Sequence, residues 1–592
     1  MKLQINRNIV WCDVFTNRLA ELGVKHVCIS PGSRSTPLTL AFASNKLFTT
    51  YPIVDERSSA FFALGLAKKT KSPVAILTTS GTAVAELYPA IIEAFYQRVP
   101  LIICTADRPR KLRGTGANQT INQHNIYKNH IRWFKDIGLP YLENLADVRE
   151  FAEEAVRISF FEDKGPVHLN FQFEKPFEPK SHTDIVDVKL LEKIYARSAF
   201  ELKEPSTKKI DFPKLSKKFY GKKGLILVGY NNFGVDFPKQ VMRFAEKFGF
   251  PIYADGSSSL RFGIHKKDNL IENFTAFVRG KDFQQNFDPE IIIQFGSAPT
   301  ANVLLEYFKN SKAEKLLCNE YGDLNDPSLT TKTIFKMIPE NFCEAITTAV
   351  HSQKNISSQW LDDWRAMNLI AGALKKGLVE ESLFPFEGRI PVEIVTELPD
   401  KANLFISNSL PIRDTDFFAS SVNKRLTIFT NRGASGIDGI NSTALGIAKV
   451  SKEPTYLIVG DLAFFHDMNG LHNSLKFNIP ITIILVNNSG GGIFESLPIS
   501  DYREVMKNNF LTPLSIGFKK FVEAYSGKYV RIKNWNHLRK ELKLSSASRK
   551  ITVLEVKTDA KKSKLLRQKY WSAVAKQIDL YINEIKAKRN SV

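Results

Sequence analysis

The sequence predicts an α/β protein made of three doubly wound parallel sheets, and three observations carry that expectation. Short apolar runs ending at Gly, Asp or Asn alternate with helix-like segments in three successive series, the pattern of βα units that cover both faces of a parallel sheet. A proline-containing stretch with eight lysines, Lys203 to Lys223, interrupts the first and second series. Loops rich in Arg, Ser and Gly follow strands in the first and third series but not in the second. Open α/β sheets bind ligands at the carboxyl ends of their strands, so a site between the first and third units is expected.

The first series reads as helix Ile9 to Leu22, strand Lys25 to Ile29, helix Pro37 to Ala43, strand Tyr51 to Val54, helix Ser58 to Lys68, strand Val74 to Thr78, helix Ala83 to Tyr96 and strand Leu101 to Thr105. The second contains strands Gly224 to Gly229, Pro251 to Tyr253, Glu290 to Phe295 and Lys315 to Asn319. The third contains Leu404 to Ser407, Leu426 to Thr430, Tyr456 to Val459, Ile481 to Val486 and Ile551 to Val556. The expected organisation is a domain over 1–180, a basic linker over 181–222, a central domain over 223–380 and a third domain with a C-terminal helix over 381–592.

With 43% hydrophobic and 24% charged residues, the composition is that of an ordinary globular chain. No apolar run approaches the ~20 residues needed to cross a bilayer, and the N-terminus has no secretory core, so a cytoplasmic protein without membrane insertion is expected. The five cysteines are scattered without a CxxC pair, which favours buried free thiols over disulfides or zinc. A net charge of +21 raises the possibility of a nucleic-acid partner. Much of it lies in the linker and in the terminal helix from Lys561 to Lys588, where solvated faces account for it, so no nucleic acid is expected.

The densest chemistry lies between Val459 and Pro498. One apolar run stops at Gly460-Asp461 and a second at Asn487-Asn488, followed by Gly490-Gly491-Gly492. A carboxylate, a carboxamide and a loop carbonyl are hard oxygen ligands suited to Mg²⁺ carried on a phosphate. In the first unit, Ser33 and Arg34 sit between a strand and a helix, where amides and a guanidinium can face an anion. Asp55-Glu56-Arg57 ends a strand, and a carboxylate there is either a helix cap or a buried acid with a task. Arg108, Arg110, Lys111 and Arg113 cluster beside Asn118 and Gln119, a set suited to a carboxylate-bearing substrate. In the third unit, Ser409 and Arg413, and Arg432 with the loop to Gly439, point to a polyanionic ligand. There is no Walker loop, HExxH or GxSxG motif, and His466 and His472 do not share a helical face.

Taken together, ISPGSRSTPLTLA, DERSSAFFALGLAK, TADRPRKLRGTGANQTINQ, NSLPIRD, NRGASGIDG, GDLAFFHDMNGL and NNSGGGIFESLP resemble the thiamine diphosphate-dependent SEPHCHC synthase family of menaquinone biosynthesis (SEPHCHC, 2-succinyl-5-enolpyruvyl-6-hydroxy-3-cyclohexene-1-carboxylate). The resemblance implies pyrimidine-binding, central and diphosphate-binding domains in that order. It implies thiamine diphosphate with Mg²⁺ or Mn²⁺ held by Asp461, Asn488 and the Gly490 carbonyl, and cofactor contacts from Ser409, Ile437, Gly460 and Leu462. Leu462 stands where many relatives carry a third Gly. By the same resemblance Glu56 is the acid that exchanges a proton with the cofactor's aminopyrimidine, and Ile437 is the wedge that bends the cofactor.

The implied reaction is decarboxylation of 2-oxoglutarate and addition of the succinyl unit to isochorismate. By motif position Ser33, Arg34, Arg108, Asn118, Gln119, Ser409, Arg413 and Arg432 line the substrate pocket, with Ile493, Phe494 and Leu497 as its apolar wall. Because Glu56 and the metal site come from different subunits in this family, a homodimer or homotetramer is implied. Where relatives often carry a basic pair, this chain has Asn302-Val303, and Arg261, Arg279 or Lys281 are candidate substitutes. The rival readings are another thiamine diphosphate-dependent 2-oxoacid decarboxylase or carboligase and, from a different class, a basic nucleic-acid-binding protein.

Overall fold

Apolar runs bounded by turn residues become strands when both faces can be covered, and each series does so in the computed structural model, which describes residues 2–178, 184–196, 210–231, 233–350 and 358–590. The first sheet has six parallel strands in the spatial order Thr49–Pro52, His26–Ile29, Val74–Thr78, Leu101–Asp107, Pro166–Gln172 and Trp133–Gly138. The central sheet has five, and the third has six in the order Thr427–Phe429, Asn403–Ile406, Thr455–Gly460, Thr482–Asn487, Thr552–Lys557 and Lys528–Arg531. Central strands such as Val74–Thr78 and Thr482–Asn487 are buried at every position, as a sheet covered on both faces requires.

Three local expectations change. Ala83 to Tyr96 is two helices, Thr82–Glu86 and Tyr88–Tyr96, because Pro89 has no amide hydrogen to continue the first. The strand placed at Tyr51 to Val54 is Thr49–Pro52, so Asp55 falls at a helix N-cap. Part of the lysine-rich stretch is structured: strand Asp184–Asp187 pairs antiparallel with Lys2–Ile5, and helices Val188–Tyr195 and Phe212–Phe219 follow. Residues 179–183 and 197–209, which include the boundary expected at 180 and part of the lysine run, lie outside the described residues.

Shared apolar cores fix the units against one another. One core joins the first and third sheets through Phe61, Phe62, Ile440 and Leu445. There the helices Glu56–Thr70 and Ile440–Lys449 meet backbone to backbone: a Cβ on Gly65 would lie 2.1 Å from the Thr443 carbonyl oxygen. A second core joins the central and third sheets through Trp364, Phe418 and Tyr570, the last on the helix Ala560–Asn590. No helix among the described residues is long and apolar enough to cross a membrane, and the five cysteines are free and buried.

Candidate active site

The two strand ends singled out in the sequence are neighbours, since Thr455–Gly460 and Thr482–Asn487 pair in parallel. Asp461 opens a short helix and is 2% exposed. Its Oδ1 accepts the Leu462 amide and its Oδ2 the Gly490 amide, both at 2.8 Å. Burial, opposed by these amides and reinforced by the nearby Glu387 charge, pushes its carboxyl up to about 6. The Asn pair divides its labour. Asn487 is spent on structure, donating to Glu555 and accepting the Ser489 amide. Asn488 donates its amide to Glu387 at 3.0 Å, and its Oδ1 is buried with no hydrogen-bond partner.

These groups open on a cavity of about 210 Å³ lined by Ser409, Ile437, Gly460, Asp461, Leu462, Asn488, Gly490, Ile493 and Phe494, with Glu387 and Asn408. The donor set fits a hard divalent cation carried on a phosphate. A buried carboxylate whose charge is disfavoured and an orphaned buried carboxamide oxygen are what a cation satisfies. Gly490 has φ +130°, and a Cβ there would lie 1.9 Å from the Leu511 carbonyl oxygen, so only glycine brings this backbone so close. Ser409, Ser435 and Ser489 also hold positive φ around the cavity, strain of the kind that accompanies ligand sites. Asn408 donates to the carbonyls of Asn431 and Gly436, both at 2.7 Å, and so fixes the loop that presents the 38%-exposed Ile437.

The first domain carries a second, separate cluster. Arg108 donates to Ser80 Oγ and, at 2.8 Å, to the Gln119 carbonyl, while Gln119 Nε2 donates to the Ser80 carbonyl at 3.1 Å. Arg34 donates to the Phe173 carbonyl and lies 4.8 Å from the Phe177 ring centroid; burial and the Arg108 charge lower its pKa. Ser33 and Asn118 are exposed. The neighbouring basic residues are committed elsewhere: Arg113 pairs with buried Asp107, and Lys111 with Glu174. Of the two acids at this strand end, Asp55 takes the capping place and Glu56 does not. Asp55 caps its helix by accepting the Ser58 amide at 2.7 Å. Glu56 is half-buried, and burial, with the charges of Asp55 and Glu86, raises its carboxyl.

The first-domain cluster stays outside the cavity, although Asp55 and Arg57 beside Glu56 hydrogen-bond to Asn469 and His466, at and just beyond the end of the helix that Asp461 opens. Glu56, Ser33, Arg34, Arg108, Asn118 and Gln119 do not line the Asp461 cavity, nor does the 42%-exposed Leu497. Arg413 donates to the Ser409 carbonyl at 2.7 Å just behind the cavity wall. Arg432 lines a different, polar cleft with Arg98, Tyr230, Ser297 and Asn319. The candidate substitutes in the central domain are also placed elsewhere. Arg261 is wholly buried and donates to the Ala254 and Ala419 carbonyls and to Asp416. Arg279 stacks over Trp571, and Lys281 is exposed.

Sequence reasoning missed Glu387, Thr558, Asp414 and Arg567, which back the cavity. The terminal helix, whose charges were expected on a solvated face, turns Arg567 inward, 3% exposed and paired with Glu387 and Asp414. Arg567 stands among lysines, so composition hides it; the signal is helical phase, since it falls in register with buried Ser563, Tyr570 and Val574.

Comparison with known proteins identifies the three units. The family model described as "Thiamine pyrophosphate enzyme, N-terminal TPP binding domain" matches residues 11–126. The corresponding C-terminal TPP binding domain matches 418–556, and "Middle domain of thiamine pyrophosphate" matches 197–406. A 2-succinyl-5-enolpyruvyl-6-hydroxy-3-cyclohexene-1-carboxylate synthase of Bacillus cytotoxicus is 39% identical over 94% of this chain and 95% of the relative. One of Geobacillus kaustophilus is 36% identical over 96% and 98%. Among solved structures, a thiamine diphosphate-dependent 4-hydroxybenzoylformate decarboxylase of Rhodococcus jostii RHA1 superposes with a TM-score of 0.68 at 14% identity, over 93% of this chain and 99% of that one, a likeness of fold alone. The chain belongs to the SEPHCHC synthase family of thiamine diphosphate-dependent enzymes.

Proposed function

We propose that this chain is a SEPHCHC synthase that decarboxylates 2-oxoglutarate and joins the remaining four-carbon unit to isochorismate. The observation that carries the reading is the Asp461–Asn488–Gly490 cluster, with its orphaned buried carboxamide oxygen, in a chain that matches synthases of this name over nearly its whole length. Asp461, Asn488 and the Gly490 carbonyl would hold Mg²⁺ or Mn²⁺, and Ser409, Ile437, Gly460 and Leu462 would contact the cofactor. When bound, thiamine diphosphate supplies a carbon nucleophile and a sink for the electron pair left by departing CO₂. Glu56, its carboxyl raised by burial, would exchange a proton with the aminopyrimidine nitrogen. Arg34 and Arg108 with Ser33, Asn118 and Gln119, and Arg413 behind the cavity wall, would receive the carboxylates of two dianionic substrates, while Ile493 and Phe494 would exclude water.

Glu56 does not line the Asp461 cavity, and in the family this chain resembles the Glu and the metal site that serve one cofactor come from different subunits, so a homodimer or homotetramer is part of the proposal. The test supplies thiamine diphosphate, Mg²⁺, 2-oxoglutarate and isochorismate to the purified protein. Equal amounts of CO₂ released and isochorismate consumed are expected. No joined product, or equal use of pyruvate, overturns the reading in favour of another 2-oxoacid carboligase.

A further inference from the structure

A carboxamide presents an acceptor on one side and a donor on the other, and only the acceptor serves a cation. Something must therefore decide which way Asn488 faces. Its neighbour in the cavity wall does. Glu387, 2% exposed, accepts the Asn488 Nδ2 amide at 3.0 Å and the Thr558 hydroxyl at 2.8 Å on Oε1, and Arg567 Nη2 at 2.7 Å on Oε2. Arg567 donates in turn to both oxygens of Asp414, at 2.7 and 2.6 Å. Turned over, Asn488 would set its oxygen against a carboxylate and lose the hydrogen bond, so the amide group stays on the Glu387 side and the oxygen stays free. Gly492 leaves the room: a Cβ there would lie 2.4 Å from Asn488 Nδ2.

We propose that Glu387 is a positioning residue that fixes the Asn488 carboxamide with its oxygen toward the metal, and that Arg567, from the terminal helix, holds Glu387 in place for this task. The inference rests on Asp461, Asn488 and Gly490 being the metal site. It gives Glu387 a supporting role, with the Asn488 carboxamide, which donates to Glu387 Oε1, standing between it and the cation.

The test titrates Mg²⁺ into the full chain with thiamine diphosphate present and reads heat or tryptophan fluorescence, with the circular dichroism and unfolding midpoint of the cofactor-free protein measured alongside. Glu387→Gln is expected to weaken Mg²⁺ binding by about 10–100-fold, the usual cost of losing a partner behind a metal ligand. Asn488→Asp is expected to weaken it as well, since two carboxylates then face each other. The double variant Glu387→Gln/Asn488→Asp regains most of the affinity: the new amide donates to the new carboxylate while its oxygen still accepts from Arg567. A merely structural Glu387 would show no such rescue. Wild-type affinity in Glu387→Gln, or a double variant no tighter than Asn488→Asp alone, overturns the proposal. If Glu387→Gln does not fold, the comparison of the double variant with Asn488→Asp decides alone. A wild-type protein that binds no Mg²⁺ with thiamine diphosphate overturns it together with the metal site, whereas one that binds Mg²⁺ but forms no SEPHCHC overturns only the assigned reaction.

Discussion

Gly490 carries the most closely constrained backbone of the metal cluster, so Gly490→Ala gives a prediction whose size follows from geometry. The added methyl sits at φ +130°, a region left almost entirely to glycine, which costs about 1–3 kcal/mol. It also lies 1.9 Å from the Leu511 carbonyl oxygen, so the loop must move. That movement pulls the Gly490 amide off Asp461 Oδ2, a 2.8 Å hydrogen bond to a carboxylate worth about 1.5–3 kcal/mol. Together these give a loss of about 2.5–6 kcal/mol, which, borne by binding alone, weakens cofactor affinity at least about fiftyfold. Borne by the fold, it lowers the unfolding free energy by the same amount. The assay measures both: denaturant unfolding without ligand, and calorimetric binding of thiamine diphosphate in saturating Mg²⁺. The contrast is Gly460→Ala, at φ −76° with no atom within 4 Å of the new methyl, which should leave ligand-free stability within about 0.5 kcal/mol. Gly490→Ala with both unfolding and binding unchanged would refute the reasoning.

Two further predictions follow from the acids. Glu56→Gln should retain cofactor binding and lose turnover by about 10²–10⁴-fold, the usual worth of positioned proton transfer, and single-turnover decarboxylation checks it; near-normal turnover would make Glu56 an ordinary helix-start residue. Asp467, fully buried and accepting from the Ser442 amide and hydroxyl, is pushed up to about 6 by burial. A carboxyl raised in the folded state contributes stability that is complete below its unfolded value near 3.8 and lost as pH rises through 6, about 3 kcal/mol in all. Asp467→Asn should therefore gain on the wild type as pH rises from 4 to 7; a stability difference constant with pH would refute this.

How much was legible depended on whether chemistry coincided with pattern. Strand ends are marked twice, by an apolar run and by the polar residue that stops it, which is why Asp461 and Asn488 stood out. Glu56 was visible as a strand-end acid, but its role rested on resemblance, because nothing in the local pattern separates a catalytic acid from a helix-start residue. Arg261 was a candidate substitute for a basic pair this chain lacks, and Arg432 a candidate because Arg at a strand end suggests an anion. Burial spends the first on backbone carbonyls and turns the second to another cleft. Glu387 and Arg567 were illegible for the opposite reason: one is a lone acid in a connector and the other lies in a lysine-rich helix, and only the packing of the terminal helix brings them together. The ribbon of Lys2–Ile5 with Asp184–Asp187 pairs segments too far apart for any local pattern to announce.

The inward turn of Arg567 also bears on the order in which the molecule acquires its chemistry during synthesis. Every other residue of the metal cluster and its backing precedes Arg567 in the chain, and the helix that carries it docks against the central unit as well as the third. The first sheet has all its strands by Gln172 and the central sheet by Lys336, so both can form on a nascent chain. The Glu387–Arg567–Asp414 backing of the Asp461 cavity cannot be completed until this helix has emerged and packed. On the proposed reading, a chain stalled or clipped before Arg567 would keep the strands of all three sheets and still load its cofactor poorly, so loading would report that the terminal helix has been made and has docked.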